Sequence, residues 1–225
     1  MIGIGMIGRK LGMTQIFNEQ GHQVPCTVIE AEPNPVVAVT TSESGVQVVE
    51  LGMGQQRLAK SEGKRTPRGS RASRSAVGHA KKAGLEAPPA VLRGFRMDDG
   101  PKDMKKDWKV GDVVKVDTFA VGELVRVTGT TKGHGFQGVV KRYGIGGGPN
   151  THGNTKHREP GAIAAGTDPS RIIKGKKMPG HFGHIRHTQI KLRVERVDTE
   201  KNLIYVRGAV AGPTNGIVLV RKRFD

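Results

Sequence analysis

One cysteine, Cys26, stands in the 225 residues. That excludes an intramolecular disulfide and any multi-cysteine zinc site, and it suits a reducing, cytoplasmic compartment. Aromatic residues make up only 4%, so the core must be aliphatic and base-stacking platforms few. No apolar run approaches membrane-spanning length, and residues 1–12 are too short and glycine-rich for a signal peptide's apolar region. Nor does any stretch read as a basic amphipathic helix that would lie on a membrane. Acids are scarce where bases are dense: between 131 and 187 the only ones are Glu159 and Asp168.

Against those two acids stand Lys132, Lys141, Arg142, Lys156, Arg158, Arg171, Lys174, Lys176, Lys177 and Arg186. His134, His152, His157, His181, His184 and His187 accompany them. Glycine recurs throughout, and no window carries the apolar spacing that would bury a strand or helix face. A segment this long without a core of its own is functional or disordered. Its charges repel one another, so a negative partner must order it. The formal net charge of +17 points to nucleic acid or an anionic surface. The densest run holds Lys174, Lys176 and Lys177 between glycines that permit close backbone approach, ahead of Met178. Such a run alone equally describes a solvated face, but varied text surrounds this one. A second basic stretch, 55–84, holds Arg57, Arg65, Arg68, Arg71 and Arg74 among others, with Glu62 as its one acid before Gly84. Its low hydrophobicity is expected to prevent independent folding.

Setting both stretches aside leaves roughly 140 residues, enough for one core and not two. Their text is β-rich. Ile2, Ile4 and Met6 alternate before an expected turn at Arg9 to Gly12. Val24, Cys26 and Val28 alternate next, and Val36–Thr40 and Val46–Leu51 follow with a turn at Ser44 and Gly45. Further runs lie at 91–97, 113–116, 124–128, 190–197, 203–206 and 217–220, with a hairpin turn over 198–202. The expected fold is mainly β: a single antiparallel β-barrel with a long irregular glycine- and base-rich arm and a second basic insert. Residues 1–56, 90–130 and 188–225 would form one discontinuous barrel domain, 57–89 the insert and 131–187 the arm.

Several motifs carry a sharper alternative. Gly133, Gly135 and Gly138 match the dinucleotide fingerprint after a strand, with Glu159 downstream. That chemistry needs a helix whose N-terminus receives the pyrophosphate, and glycines at 146–148 interrupt the text instead. His181, His184 and His187 could suggest a metal, but glycines and Pro179 disfavour a helix and companion ligands are few. Histidines in such a loop fit phosphates, 2′-hydroxyls and bases better. Cys26 reads as a small core residue, and no nucleophile elbow, phosphate loop or carboxylate pair is present. An enzyme is not expected, nor a metal, cofactor or small-molecule substrate.

The run Gly8-Arg9-Lys10-Leu11-Gly12-Met13-Thr14-Gln15-Ile16-Phe17 resembles the opening of the ribosomal protein L-three family of the bacterial large subunit. Residues 127–138, from Val127-Thr128-Gly129 through Lys132-Gly133-His134-Gly135-Phe136-Gln137-Gly138, with Lys141 and Arg142 after them, resemble its central signature. Thr151-His152-Gly153-Asn154, His157-Arg158, 174–180 and 202–212 are similar to the rest, while 55–93 matches poorly. The resemblance implies a barrel like the second domain of translation elongation factors. It implies direct binding to large-subunit ribosomal RNA early in assembly, neighbouring large-subunit proteins as partners, and a central arm reaching toward the peptidyl transferase centre. The implied RNA contacts are Arg9, Lys10, Lys132, Gly133, His134, Gly135, Phe136, Lys141, Arg142, His152, Asn154, His157, Arg158, Arg171, Lys174, Lys176, Lys177, Met178 and Arg186. Arg65, Arg68, Arg71 and Arg74 of the insert would add to them. Two positions depart from the pattern. Arg126 stands where an acid or amide is expected, and Ala165 where some members carry a methylated glutamine.

Overall fold

The computed structural model describes residues 2–18, 20–43, 46–56, 72–97 and 108–223. In chain order these form β1 (Ile2–Phe17), β2 (Gln23–Glu30), β3 (Asn34–Thr41), β4 (Gln47–Met53), α1 (Arg74–Lys82), β5 (Val91–Arg96) and β6 (Val113–Val114). Then come β7 (Leu124–Thr130), β8 (Phe136–Gln137), α2 (Val139–Tyr143), β9 (Gly180–His181), β10 (Arg186–Asp198), β11 (Leu203–Arg207) and β12 (Ile217–Arg223). The chain divides into two compact units, one made of Met1–Thr130 with Arg186–Asp225, the other of Thr131–Ile185.

In the first unit six strands are hydrogen-bonded in a closed ring, β1-β12-β7-β10-β11-β2, and β2 pairs back onto β1. Period-two alternation explains it. Val125 and Val127 of β7, Val218 and Val220 of β12, and Ile204 and Val206 of β11 are all buried in one core cluster. Each such side chain contributes about 1.5–3 kcal/mol through burial. The mainly β expectation holds. Not every strand joins the ring, however: β5, β4, β3 and β6 form a separate antiparallel sheet. Its Val36, Val49, Leu51 and Phe95 belong to the same core cluster as the ring's Met6 and Ile7. Fully buried Asn34 pins the two together, its Oδ1 accepting from the Ile7 N–H at 2.6 Å and its Nδ2 donating to the Glu32 carbonyl at 2.9 Å.

The turn expected at Arg9 to Gly12 is instead a β-bulge between Lys10 and Gly12, and β1 runs on to Phe17. The bulge sits where β1 leaves β12, whose last partner there is Arg9, and continues against β2 alone. Arg186 and His187, expected in the arm, open β10 opposite Thr130 and Gly129. The 198–202 hairpin is as expected, with Asn202 at φ 54° and the Lys201 N–H donating to Asp198 Oδ1 at 3.1 Å. The Ser44–Gly45 turn lies outside the described residues.

The insert is described only in part. Residues 57–71, with Arg57, Arg65, Arg68 and Arg71, lie outside the described residues, but Arg74 opens α1. The Ser73 hydroxyl caps that helix by accepting from the Ala76 N–H at 3.2 Å, and His79, Lys81 and Lys82 suit its C-terminal dipole. Ala80 and Ala83 are buried. Small alanines let a basic helix pack closely with little apolar text.

Gly5 is the tightest point between ring and sheet. A Cβ there would overlap the Phe95 ring and lie 2.8 Å from Arg221 Cγ. Phe95 is fully buried and has no room to retreat. Gly5→Ala is therefore expected to destabilise by about 2–3 kcal/mol, lowering Tm by roughly 5–10 °C in a calorimetric scan. An unchanged Tm would show that the backbone yields at this joint.

Candidate nucleic-acid interface

The second unit, Thr131–Ile185, is built on a short hydrogen-bonded stem. The Thr131 N–H donates to the Ile185 carbonyl at 2.9 Å, and the Ile185 N–H returns to the Thr131 hydroxyl at 3.2 Å. His134 and Phe182 continue the ladder, each N–H donating across the stem, to the Phe182 and Gly135 carbonyls. Gly183 sits at φ 75° where a side chain would overlap the Lys132 carbonyl, so only glycine lets the two strands approach this closely. β8 and β9 then pair Phe136 with His181 and Gln137 with Gly180.

Aromatic groups line this stem. The His134 and Phe182 rings stack at 5.0 Å, and Phe136 meets the His181 ring edge-on at 5.8 Å while remaining 67% exposed. Beyond them α2 begins directly after Gly138 and ends at the left-handed Gly144. A helix therefore does follow the glycine fingerprint, against expectation. It has five residues and no parallel strand beside it, so the dinucleotide reading gains nothing. Arg142 reaches back to donate to the Met178 carbonyl at 2.8 Å, and its guanidinium lies 5.0 Å from the Tyr143 ring centre. Lys177 approaches the same ring at 5.7 Å. Tyr143 thus gathers two cations. It was not among the expected contacts, although an aromatic flanked by Lys141, Arg142 and a later lysine run is a readable signal.

The next loop is held by side-chain bonds to backbone. The Pro149 carbonyl accepts from Asn154 Nδ2 at 2.9 Å and lies 3.0 Å from His157 Nδ1, while Asn154 Oδ1 accepts from the Lys156 N–H at 3.1 Å. A Cβ at Gly147 would overlap the His157 carbonyl, and one at Gly148 the Asn154 amide, which is why glycines stand there. Asn154 and His157 therefore shape the loop. His152, at φ 60°, and Arg158 are exposed on it.

In the whole unit the one buried side chain is Val139, at 1% exposure. Lys132, Lys141, Lys156, Arg158, Arg171, Lys174, Lys176 and Lys177 are all exposed. Among the described residues the only ion pair inside the unit is Lys156 with Glu159 at 3.5 Å, both exposed, and such a pair contributes little. The unit is a cationic surface without a core and with little internal counter-charge.

The other expected contacts lie in the first unit. Arg9 is exposed on β1 and Arg186 on β10. Lys10 has structural work: its Nζ donates to the Val210 and Gly212 carbonyls at 2.7 and 3.0 Å. Among the described residues no three His, Cys, Asp or Glu side chains gather as metal ligands. Cys26 is fully buried and burial pushes its thiol pKa up, with Glu195 adding, the opposite of an activated thiolate. No described helix is long and apolar enough to cross a membrane.

The family profile described as Ribosomal protein L3 matches residues 102–202. The large ribosomal subunit protein uL3 of Pseudomonas fluorescens (strain SBW25) is 44% identical over 220 residues, covering 97% of this chain and 96% of that protein. The uL3 protein of Ectopseudomonas mendocina (strain ymp) is also 44% identical, with 97% of each chain covered. The chain belongs to the ribosomal protein L3 family, whose members are structural constituents of the large ribosomal subunit and not enzymes.

Proposed function

We propose that this chain binds large-subunit ribosomal RNA directly, supports early assembly of the subunit, and extends Thr131–Ile185 toward the peptidyl transferase centre. The single observation that carries the reading is that unit's exposed cations around one buried valine, with almost no internal counter-charge. Lys132, Lys141, Arg158, Arg171, Lys174, Lys176 and Lys177 contact phosphates, supplying affinity and register. Exposed Phe136 and Tyr143, held by His181 and Arg142, offer ring faces to unpaired bases. Asn154 and His157 act through the loop they hold, and Met178 through the carbonyl that Arg142 grips. The closed ring of strands is read as a β-barrel like the second domain of elongation factors, docking beside neighbouring large-subunit proteins. The site of action is the cytoplasmic ribosome.

Sedimentation of a tagged copy through a high-salt cushion tests this. The chain is expected to remain with large subunits, because a protein threaded through folded RNA is not released as a peripheral one is. Recovery in the supernatant, with subunits intact, would overturn it.

A further inference from the structure

Strand register places three arginines on one outer face of the strand ring. Val125 and Val127 of β7 point into the core, so Arg126 between them faces outward. Arg221 of β12 stands directly opposite Arg126 in the antiparallel ladder. Arg186 opens β10 opposite Thr130, two residues beyond Thr188, whose hydroxyl pairs with that of Thr128 at 2.9 Å.

Like charges directly opposite each other on paired strands destabilise the pair. Among the described residues no carboxylate lies within ion-pair distance of any of the three. Arg221 is nevertheless fixed: its guanidinium lies 4.8 Å from the centre of the Phe95 ring, and one terminal nitrogen lies 3.5 Å from the Gly94 carbonyl. Its Nε is buried and has no hydrogen-bond partner. Burial lowers its pKa, and Arg126 and Arg186 lower it further. A partly buried guanidinium close enough to feel two others, with a donor that no protein group satisfies, is a place where an anion would relieve both the repulsion and the unmet hydrogen bond.

We propose that Arg126, Arg186 and Arg221 form a phosphate-binding site for RNA on the outer face of the strand ring. The fork of each guanidinium matches phosphate oxygens in pairs. Three cations spread along two ladders suit successive phosphates of a backbone better than one carboxylate. This site rests on the ribosomal RNA reading above and adds to it a contact surface that the base-rich segment does not supply.

The test uses the full chain, protein-free large-subunit ribosomal RNA and the variants Arg126→Glu, Arg126→Lys and Arg186→Ala. Arg126→Glu is expected to weaken binding at least about tenfold and to reduce the magnitude of the log–log salt slope by about one to two. In the free protein it should raise Tm by a few degrees, since a carboxylate then faces Arg221 across the ladder. Opposite signs in the two measurements mark a binding site and not a packing role. Arg126→Lys should keep most of the slope, and exposed Arg186→Ala should lose about one unit without changing Tm. An unchanged affinity and slope in both Arg126→Glu and Arg186→Ala overturns the site while leaving the ribosomal RNA reading intact. A nearly flat slope in the unaltered chain would sink that reading instead. If inorganic phosphate alone raises the Tm of the unaltered chain and not of Arg126→Glu, while RNA binding is the same for both, the site takes free anion and the RNA proposal fails.

Discussion

Binding of the intact chain to protein-free large-subunit ribosomal RNA is expected to fall about 10³–10⁵-fold as salt rises from about 50 to 200 mM. The reasoning begins with the exposed bases of Thr131–Ile185, of which only Lys156 has a carboxylate partner inside the unit. With only that one exposed ion pair to break, each base that meets a phosphate releases counterions, and that release dominates the salt dependence. If about six to ten phosphates are engaged, the log–log slope lies near −5 to −9. Lys176→Ala should weaken binding across RNA sequences and remove about one unit of slope. Changing Asn154 or His157 should act differently, because their bonds to the Pro149 carbonyl shape a loop. Those variants lose affinity with the slope nearly kept. A slope shallower than about −2 for the intact chain would show that phosphate contacts do not govern binding.

The parts of this molecule that were legible beforehand are those written in local alternation or local charge. Val125 and Val127, Ile204 and Val206, and Val218 and Val220 announced strands because a half-buried strand repeats every second residue. The cationic segment was legible because its sequence holds bases and glycines where a core would need apolar groups. What stayed hidden depends on partners distant in the chain. Nothing near Lys10 shows that its ammonium meets carbonyls at 210 and 212. The alternation of β3, β4 and β5 says which face is buried, not that these strands form their own sheet. Whether the stretch holding α1 is helical stayed open for another reason: its buried groups are alanines, too small to stand out against the surrounding bases. The Arg126–Arg221 juxtaposition is a matter of register, which no single strand's text reveals.

Replacing 133–183 with a short Gly-Ser linker is expected to separate folding from function. The ends to be joined are already in contact, since Thr131 and Ile185 exchange two hydrogen bonds, so closing a short loop there costs little. The only buried side chain removed is Val139. Every residue of the common core cluster remains, and the free truncated protein should melt within a few degrees of the intact one. Hydrogen exchange on the intact free chain should show why. Amides of the ring strands are expected to be slow, those of the stem at Thr131, His134 and Phe182 intermediate, and most of those between 145 and 179 fast, because few of them donate to a backbone carbonyl. On RNA the fast amides should become protected, the ordering entropy being offset only once phosphates supply the counter-charge. Subunits reconstituted with the truncated chain should contain it, held by the ring and its outer face, yet lose most of their peptidyl transferase activity. If the 145–179 amides are as protected in the free chain as those of β7 and β12, the segment is a self-sufficient domain and the proposed ordering by RNA is wrong. If truncated subunits form peptide bonds at the normal rate, the segment does not serve the peptidyl transferase centre.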